Sequence, residues 1–285
     1  MTAENRQLAP GLYLVGTPIG NLEDITLRAI RVLKQADLIA CEDTRQTQKL
    51  LNHYGIDTRT ISYHEHNEAS RAAELVENLA QGGRIAVVSD AGMPGVSDPG
   101  FRLVSLAVER GVPVFPVPGP AAFLAALVAS GLPTDSFCFR GFLPAKSGAR
   151  RQELEKILAS EETHIYYEAP HRIKETLADI VAVLGPERPA VVARELTKIH
   201  EEFLRGTAGE VAQALGARGE IKGEITLLIG RAAEGVSAPR GGSVRERVEE
   251  IIRNEKVDEK TALKKVAKER GISKSEAYRE LQRGK

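Results

Sequence analysis

Short apolar runs alternate with amphipathic helical patterns along most of the chain, and this alternation limits the folds that it can adopt. Residues 12–15, 38–41 and 85–89 are nearly continuous in apolar side chains, as expected of strands that are buried on both faces. Residues 59–62 and 112–117 are further runs of this kind. Strands separated by helices are typical of β–α–β units, so the sequence predicts an α/β fold with a mainly parallel sheet.

The alternation falls into two series. Helical patterns of the first series lie at residues 24–35, 44–53, 68–81, 99–110 and 120–130. A cluster of turn residues at 130–135 then marks a domain boundary. The second series predicts strands at 137–139, 163–168, 190–194 and 225–230 and helices at 150–159, 173–184 and 208–215. We therefore expect two α/β domains, residues 10–130 and 135–232.

The end of the chain is basic, although the net charge of all 285 residues is zero. Residues 240–285 contain 14 Lys and Arg against 9 Asp and Glu. Ser243 and Ser273 each precede a Glu by three residues, the capping-box pattern of a helix start. The sequence thus predicts a basic helical extension at 243–285 with the shape of a helix-turn-helix. Such a unit suits either a nucleic-acid contact or a plain packing module.

Several classes of protein are excluded by the composition. No uncharged apolar run is long enough to span a bilayer, so we expect no membrane association. The first nine residues are polar and do not resemble a secretory signal. Cys41 and Cys138 are too widely spaced for a CxxC metal knuckle or a disulfide framework. These features predict a cytoplasmic protein with free thiols.

Three loops rich in Gly and Pro follow predicted strands, at residues 16–21, 89–100 and 118–120. Ligands in open α/β sheets bind outside the carboxyl ends of the strands, where glycines let backbone amides approach. We therefore expect these loops to meet at one crevice. None of them has the GxGxxG or GxxxxGK[ST] pattern of nucleotide-binding loops. By themselves such loops also suit simple turns of the chain.

Five motifs in a fixed order resemble those of the tetrapyrrole methylase superfamily. They are VGTPIGNL at 15–22, CEDTR at 41–45, SDAGMPGVSDPG at 89–100, PVPGPAA at 116–122 and YEAPHR at 167–172. The narrower resemblance is to the branch that methylates small-subunit ribosomal RNA, which carries a similar helical extension. The small-molecule members usually have Gly-Asp-Pro where this chain has DAGMP at 90–94. This departure points away from corrin or porphyrin substrates.

The resemblance implies a homodimer in which S-adenosylmethionine, the methyl donor, lies in a cleft between the two α/β domains. By motif position it implies nine donor-binding residues: Pro18, Asp90, Ala91, Met93, Val96, Ser97, Ala121, Ala122 and Tyr167. Residues 224–226 are a weaker addition. Small side chains at Ala121 and Ala122 would leave room for the donor. Met93 and Val96 would either form an apolar wall for its adenosine or pack in the core.

The implied activity is 2′-O-methylation of a ribose, at cytidine 1402 of 16S ribosomal RNA, and the implied partner is that RNA or the small ribosomal subunit. A ribose hydroxyl must lose its proton, so a carboxylate or a His within reach would assist. The candidates are Glu42, Asp43 and His66. Asp43 is equally suited to cap the helix that follows. His64 and His66 have no third metal ligand, so we expect no metal site.

Seven basic side chains are candidates for RNA contacts: Arg45, His64, Arg172, Arg194, Lys264, Lys265 and Lys274. The three arginines lie in or beside motif loops and are equally suited to structural ion pairs. The sequence likewise does not decide whether Glu168 and Glu195 have a role in the site or form structural ion pairs. Two other functions remain open, a methylase of a small tetrapyrrole and a non-enzymatic helix-turn-helix regulator that binds DNA. A methylase that modifies an RNA base is a closer alternative.

Overall fold

The apolar runs of the first series form one parallel sheet in the computed structural model, which describes residues 7–232, 244–269 and 273–283. Its strands are β1 (Gly11–Val15), β2 (Leu38–Cys41), β3 (Thr60–Ser62), β4 (Arg84–Val88) and β5 (Val114–Val117). They lie in the order β3–β2–β4–β1–β5. The predicted parallel sheet is confirmed, and each strand begins within two residues of its predicted start.

Helices cover both faces of this first sheet. They are α1 (Leu27–Gln35), α2 (Thr44–His53), α3 (Glu68–Ala80) and α4 (Phe101–Glu109). Ile39 and Cys41 of β2 pack with α1 and α2, whereas Ala40 between them packs with α3 and α4. Successive side chains of a strand point to opposite faces of the sheet. Because helices cover both faces, nearly every side chain of a strand is buried, which explains the nearly continuous apolar runs.

Helix α1 begins at Leu27, three residues after the predicted start at residue 24. The side chain of Thr26 accepts a hydrogen bond from the backbone N–H of Ala29 at 3.0 Å. A threonine in this position satisfies an otherwise unpaired donor in the first turn and sets the helix start.

The second series forms a mixed sheet of five strands. They are β6 (Phe137–Phe142), β7 (Thr163–Glu168), β8 (Pro189–Arg194), β9 (Glu202–Thr207) and β10 (Ile225–Ile229), in the order β6–β7–β10–β8–β9. Strand β6 is parallel to β7, and the other pairs are antiparallel. Strand β9 was not predicted, because its sequence, EFLRGT, has no apolar run. It forms the edge of the sheet, paired along its whole length with β8.

Four helices pack on the two faces of this second sheet. They are α5 (Ala122–Ser130), α6 (Ser147–Glu155), α7 (Ile173–Leu184) and α8 (Ala208–Gly216). The last three cover one face. Helix α5 packs on the other through Ala126 and Leu127, which contact β7, β8 and β10. The helix just before the predicted boundary thus belongs to the core of the second sheet, and the division into domains 10–130 and 135–232 stays a prediction.

The chain divides into two compact units, Met1–Ala233 and Glu234–Lys285. The second unit contains α9 (Val244–Glu255), α10 (Glu259–Glu269) and α11 (Lys274–Arg283). These are the helices expected of the predicted extension. The capping box at Ser273 is present, since Ser273 Oγ accepts from the N–H of Glu276 and Glu276 Oε2 from that of Ser273. The capping box at Ser243 and most of the Gly-, Ser- and Pro-containing linker at 232–242 lie outside the described residues. No described helix has the length and apolar character needed to cross a bilayer.

A buried ion pair ties α6 to α7. The guanidinium of Arg150 lies 2.6 Å from the carboxylate of Asp179, and their side chains are only 1% and 4% exposed. Arg151 also donates to this carboxylate. Removing one partner of such a pair leaves a buried charge without compensation, which costs more than the pair contributes.

We expect Asp179→Asn to lower the free energy of unfolding by about 3 kcal/mol, because Arg150 stays buried and keeps only the exposed Glu175, 4.0 Å away, as a counter-ion. Denaturant titration monitored by circular dichroism measures this loss. Asp135→Asn is the matched control, because Asp135 is exposed and pairs with Arg231 near the surface; its loss should stay below about 1 kcal/mol. Equal losses in the two variants would contradict the role assigned to the buried pair.

Candidate active site

The three Gly/Pro loops of the first series meet at the carboxyl ends of β1, β4 and β5. Thr17 and Gly92 exchange two backbone hydrogen bonds, of 2.9 and 3.1 Å, that join the first loop to the second. Gly16 lies against Gly119 of the third loop, where a Cβ at Gly16 would come within 2.7 Å of the Gly119 Cα. Glycine is therefore required at this crossing for steric reasons.

A cavity of about 320 Å³ opens beside these loops, and we call it the cleft. Loop residues on its wall include Met93 and Ala121, and residues of the second series include Tyr167 and Thr226. The cleft is at the small end of the range for ligand sites. It lies at the carboxyl edge of the parallel sheet, where ligands of α/β proteins bind.

Most of the residues predicted to bind the donor lie on the wall of the cleft. These are Ala91, Met93, Val96, Ser97, Ala121, Ala122 and Tyr167. The weaker candidates at 224–226 also line it. Pro18 and Asp90 do not belong to the wall. Asp90 instead accepts a hydrogen bond from the backbone N–H of Asp43 at 3.1 Å, which links the loops that follow β2 and β4.

Aromatic side chains form one side of the cleft. The ring of Tyr167 lies 4.9 Å from that of Phe139 and 5.6 Å from that of Phe142. Phe123 stacks on Phe139 at 4.6 Å. Burial raises the pKa of Tyr167, so its phenol remains protonated at neutral pH. Phe123 and Phe142 line the cleft but were missed in the sequence, because they lie outside the five motifs.

The three residues predicted as catalytic are not part of the cleft wall. Glu42 directly follows β2 and is half-buried; burial, and next the charge of Asp90, raise its pKa. Asp43 caps α2 by accepting from the N–H of Arg45 at 2.8 Å. Hydrogen bonds from Arg45 lower the pKa of Asp43. His66 is exposed, with its ring 5.8 Å from that of His64.

Asp98 is an acidic residue of the cleft wall that was not predicted from the sequence. It is half-buried, and burial together with the charge of Glu42 raises its pKa to about 6. The available signal was its place within the motif at 89–100, next to the predicted donor-binding residue Ser97. Ser97 has a φ of 63°, a left-handed conformation that is uncommon outside glycine.

All three arginines predicted to contact RNA are in ion pairs, and the side chains of Arg172 and Arg194 are also mostly buried. Arg172 Nη2 lies 2.6 Å from Glu168 Oε1, and the Glu168 side chain is fully buried. Glu168 also accepts from the hydroxyl of Thr176 at 2.6 Å. Arg194 pairs with Glu202 at 3.2 Å. The ion-pair alternative considered for these arginines is therefore the arrangement present in the structure.

The other predicted RNA contacts are more accessible. The side chain of Arg45 is 88% exposed, although it contacts Asp43 at 3.3 Å. Lys264, Lys265 and Lys274 are exposed on the helical unit. His64 is half-buried beside Asn67, whose side-chain oxygen accepts from the His64 backbone N–H.

Among the described residues, a group with metal-ligand chemistry lies away from the cleft and consists of Cys138, Glu162 and His164. The guanidinium of Arg140 approaches His164 Nδ1 at 3.4 Å. Burial and this nearby charge lower the pKa of His164 to about 4. A guanidinium in this position also repels a metal cation. The group does not include His64 or His66.

Comparison with known proteins identifies the family. The pattern of the Tetrapyrrole (Corrin/Porphyrin) Methylases matches residues 11–212. A relative from Halalkalibacterium halodurans is 49% identical over 271 residues, covering 94% of this chain and 93% of its own. One from Mesorhizobium japonicum is 50% identical over 234 residues, covering 82% and 80%. Both are named Ribosomal RNA small subunit methyltransferase I.

The fold agrees with that of a solved methyltransferase. The uroporphyrin-III C-methyltransferase of Thermus thermophilus, complexed with S-adenosylhomocysteine, superposes with a TM-score of 0.53 at 23% identity, covering 78% of this chain and 98% of its own. The chain therefore belongs to the tetrapyrrole methylase family of methyltransferases. Within that family it belongs with the Ribosomal RNA small subunit methyltransferase I proteins. The predicted family and donor, S-adenosylmethionine, are confirmed.

We expect Arg172→Met to lower the free energy of unfolding by about 3 kcal/mol, because it removes the cation beside the fully buried Glu168. Arg71→Met is the matched control, since Arg71 and its partner Glu74 are both largely exposed, and its effect should be below about 1 kcal/mol. Thermal unfolding of both variants gives the comparison. An Arg172→Met variant as stable as the wild type would show that its guanidinium is free for a ligand.

Proposed function

We propose that this chain transfers a methyl group from S-adenosylmethionine to the 2′-hydroxyl of a cytidine ribose in 16S ribosomal RNA. The observation that carries the proposal is the cleft, in which most of the predicted donor-binding residues come together in a chain half identical to ribosomal RNA methyltransferases. The family membership supports the methyl donor. The names of the relatives support a small-subunit RNA as acceptor.

In this proposal the donor occupies the cleft. Backbone amides of the loop at 89–100 hold its carboxylate, because successive N–H groups in such turns form an anion-binding concavity. Met93 and Val96 provide an apolar wall for the adenosine, and Ala121 and Ala122 leave room for it. The sulfonium is already an activated leaving group, so holding the acceptor oxygen in line supplies much of the rate.

The RNA approaches the open side of the cleft. Arg45 has the exposure needed for a phosphate contact, whereas Arg172 and Arg194 act mainly within the protein through their ion pairs. The exposed Lys264 and Lys274 give the helical unit a positive surface for the same polyanion. A 2′-hydroxyl acceptor itself requires RNA rather than DNA.

Glu42, Asp43 and His66, the catalytic candidates from the sequence, have different parts in this proposal. Glu42 is half-buried and borders the carboxylates of Asp90 and Asp98, so it acts on the electrostatics of the cleft. Asp43 supports this arrangement through its contacts with Asp90 and Arg45. His66 is exposed and therefore suited to contact bound RNA.

Homodimer formation and a cytoplasmic location stay predictions. Several large apolar side chains are exposed in the first unit, among them Leu124 and Val128, one turn apart on α5. Helix α5 is apolar on all sides, which is typical of a helix covered by protein on more than one face. A second copy of the chain would supply that cover.

The acceptor can be identified by methylating small ribosomal subunits, and separately their naked RNA, from a strain that lacks the modification. Methyl-labelled S-adenosylmethionine is the donor, and nucleosides are analysed after digestion. We expect the label in 2′-O-methylcytidine. A label on a base would refute the ribose specificity. Absence of label from both RNA samples would refute the RNA substrate; transfer to uroporphyrinogen would then favour a small tetrapyrrole.

Filling the cleft should exclude the donor. We expect Ala122→Leu to weaken binding of S-adenosylhomocysteine at least tenfold, because the added methyl groups enter the space between the loops and Tyr167. Isothermal titration calorimetry measures the affinity. Ala73→Leu, on an exposed face of α3, is the matched control and should bind as the wild type does. Unchanged affinity in Ala122→Leu would place the donor elsewhere.

A further inference from the structure

Three carboxylates line the cleft, and two of them already have cationic partners. Glu168 is buried against Arg172 and Thr176. Glu224 is mostly exposed and is held 2.9 Å from the ammonium group of Lys198. Asp98 is the third, and within residues 7–232, 244–269 and 273–283 no cation forms an ion pair with it. Its charge is thus available to a ligand in the cleft.

The loop that carries Asp98 is anchored on both sides. At its end, the backbone N–H of Gly100 donates to the carboxylate of Glu68 at 3.4 Å. The buried Tyr63 donates its hydroxyl to the same carboxylate at 3.0 Å. On the other side, Ser97 lies against Gly141 of β6. A Cβ added at Gly141 would lie 3.2 Å from the Ser97 Oγ. These contacts hold Asp98 at a defined place on the wall.

The groups that surround Asp98 come from three elements. Glu42 follows β2, Asp90 follows β4, and both raise the pKa of Asp98. The nearby hydroxyl of Ser89 acts in the opposite direction and lowers this pKa. Tyr167 of β7 faces it across the cleft and stays protonated. Burial is the largest influence, and the resulting pKa of about 6 is close to the value that suits a general base near neutral pH.

We propose that Asp98 is the general base that accepts the proton of the acceptor hydroxyl during methyl transfer. This inference rests on the proposed function. As the ribose oxygen forms its bond to the methyl carbon, the carbon–sulfur bond breaks and its electron pair stays on sulfur, which yields S-adenosylhomocysteine. The O–H bond breaks at the same time, its electron pair remains on oxygen, and the proton passes to a carboxylate oxygen of Asp98 and then to water.

This assignment also gives Glu42 a defined role. Glu42 does not belong to the cleft wall but raises the proton affinity of Asp98 through its charge. It is therefore a positioning residue that acts through Asp98. Replacing it with a neutral side chain would lower the pKa of Asp98, whereas replacing Asp98 would remove the titrating group itself.

The experiment is a pH profile of single-turnover methyl transfer from about pH 5 to about pH 8. The wild-type rate should rise with pH, with its midpoint near about pH 6, and level off about one pH unit higher, because only the deprotonated Asp98 accepts a proton. We expect Asp98→Asn to lower the plateau about 100-fold and to abolish the rise. Glu42→Gln should move the rise to lower pH. Asp57→Asn, an exposed carboxylate remote from the cleft, should follow the wild type.

Binding of S-adenosylmethionine and S-adenosylhomocysteine to Asp98→Asn completes the test. Affinities within about threefold of the wild type, with the rate and pH profile changed as above, support the base role. A variant that binds S-adenosylmethionine worse but keeps the pH profile would overturn it, since Asp98 would then hold the sulfonium. If the variant fails to fold, a wild-type profile without a rise near pH 6 overturns the proposal. Wild-type protein that methylates no RNA overturns the proposed function and this inference together.

Discussion

The crossing of three backbone segments at the carboxyl edge of the parallel sheet is the constraint on which the cleft depends. Thr17 and Gly92 are joined by a pair of backbone hydrogen bonds, and Gly16 contacts Gly119 too closely for either to carry a side chain. Because backbone atoms rather than side chains make these contacts, the loops after β1, β4 and β5 are held together as one wall of the cleft. The loop at 89–100 thereby receives a fixed orientation, and with it the side chains that face the cleft.

The charges around the cleft follow from how each carboxylate is compensated. Glu168 is buried with a guanidinium and a hydroxyl, so it contributes to stability and leaves no charge for a ligand. Asp98 lies near other acids and is only partly desolvated, so it retains a reactive charge with a raised pKa. The same functional group, a carboxylate, therefore has two roles, and the neighbouring groups decide between them.

Local sequence patterns predicted most of the strands and helices because each leaves a periodic or punctuated signal. The buried strand β4 is apolar at four consecutive positions, and α11 begins at its capping box. Strand β9 carries no such signal, since an edge strand is stabilised by its neighbour rather than by burial of its own side chains. The packing of α5 on the second sheet was likewise hidden, because an apolar helix does not indicate which sheet it will cover.

The sequence by itself determined the alternation of strands and helices, the Gly/Pro loops and the order of the motifs, and these identify the family and the donor. Only the tertiary structure decided which side chains face the cleft. It paired Arg172 with Glu168, left Glu42 and His66 off the cleft wall, and brought Asp98 onto it. The physical reason is that periodicity and motifs report local conformation, whereas ion pairing, burial and pKa depend on residues distant in the chain that only folding brings together.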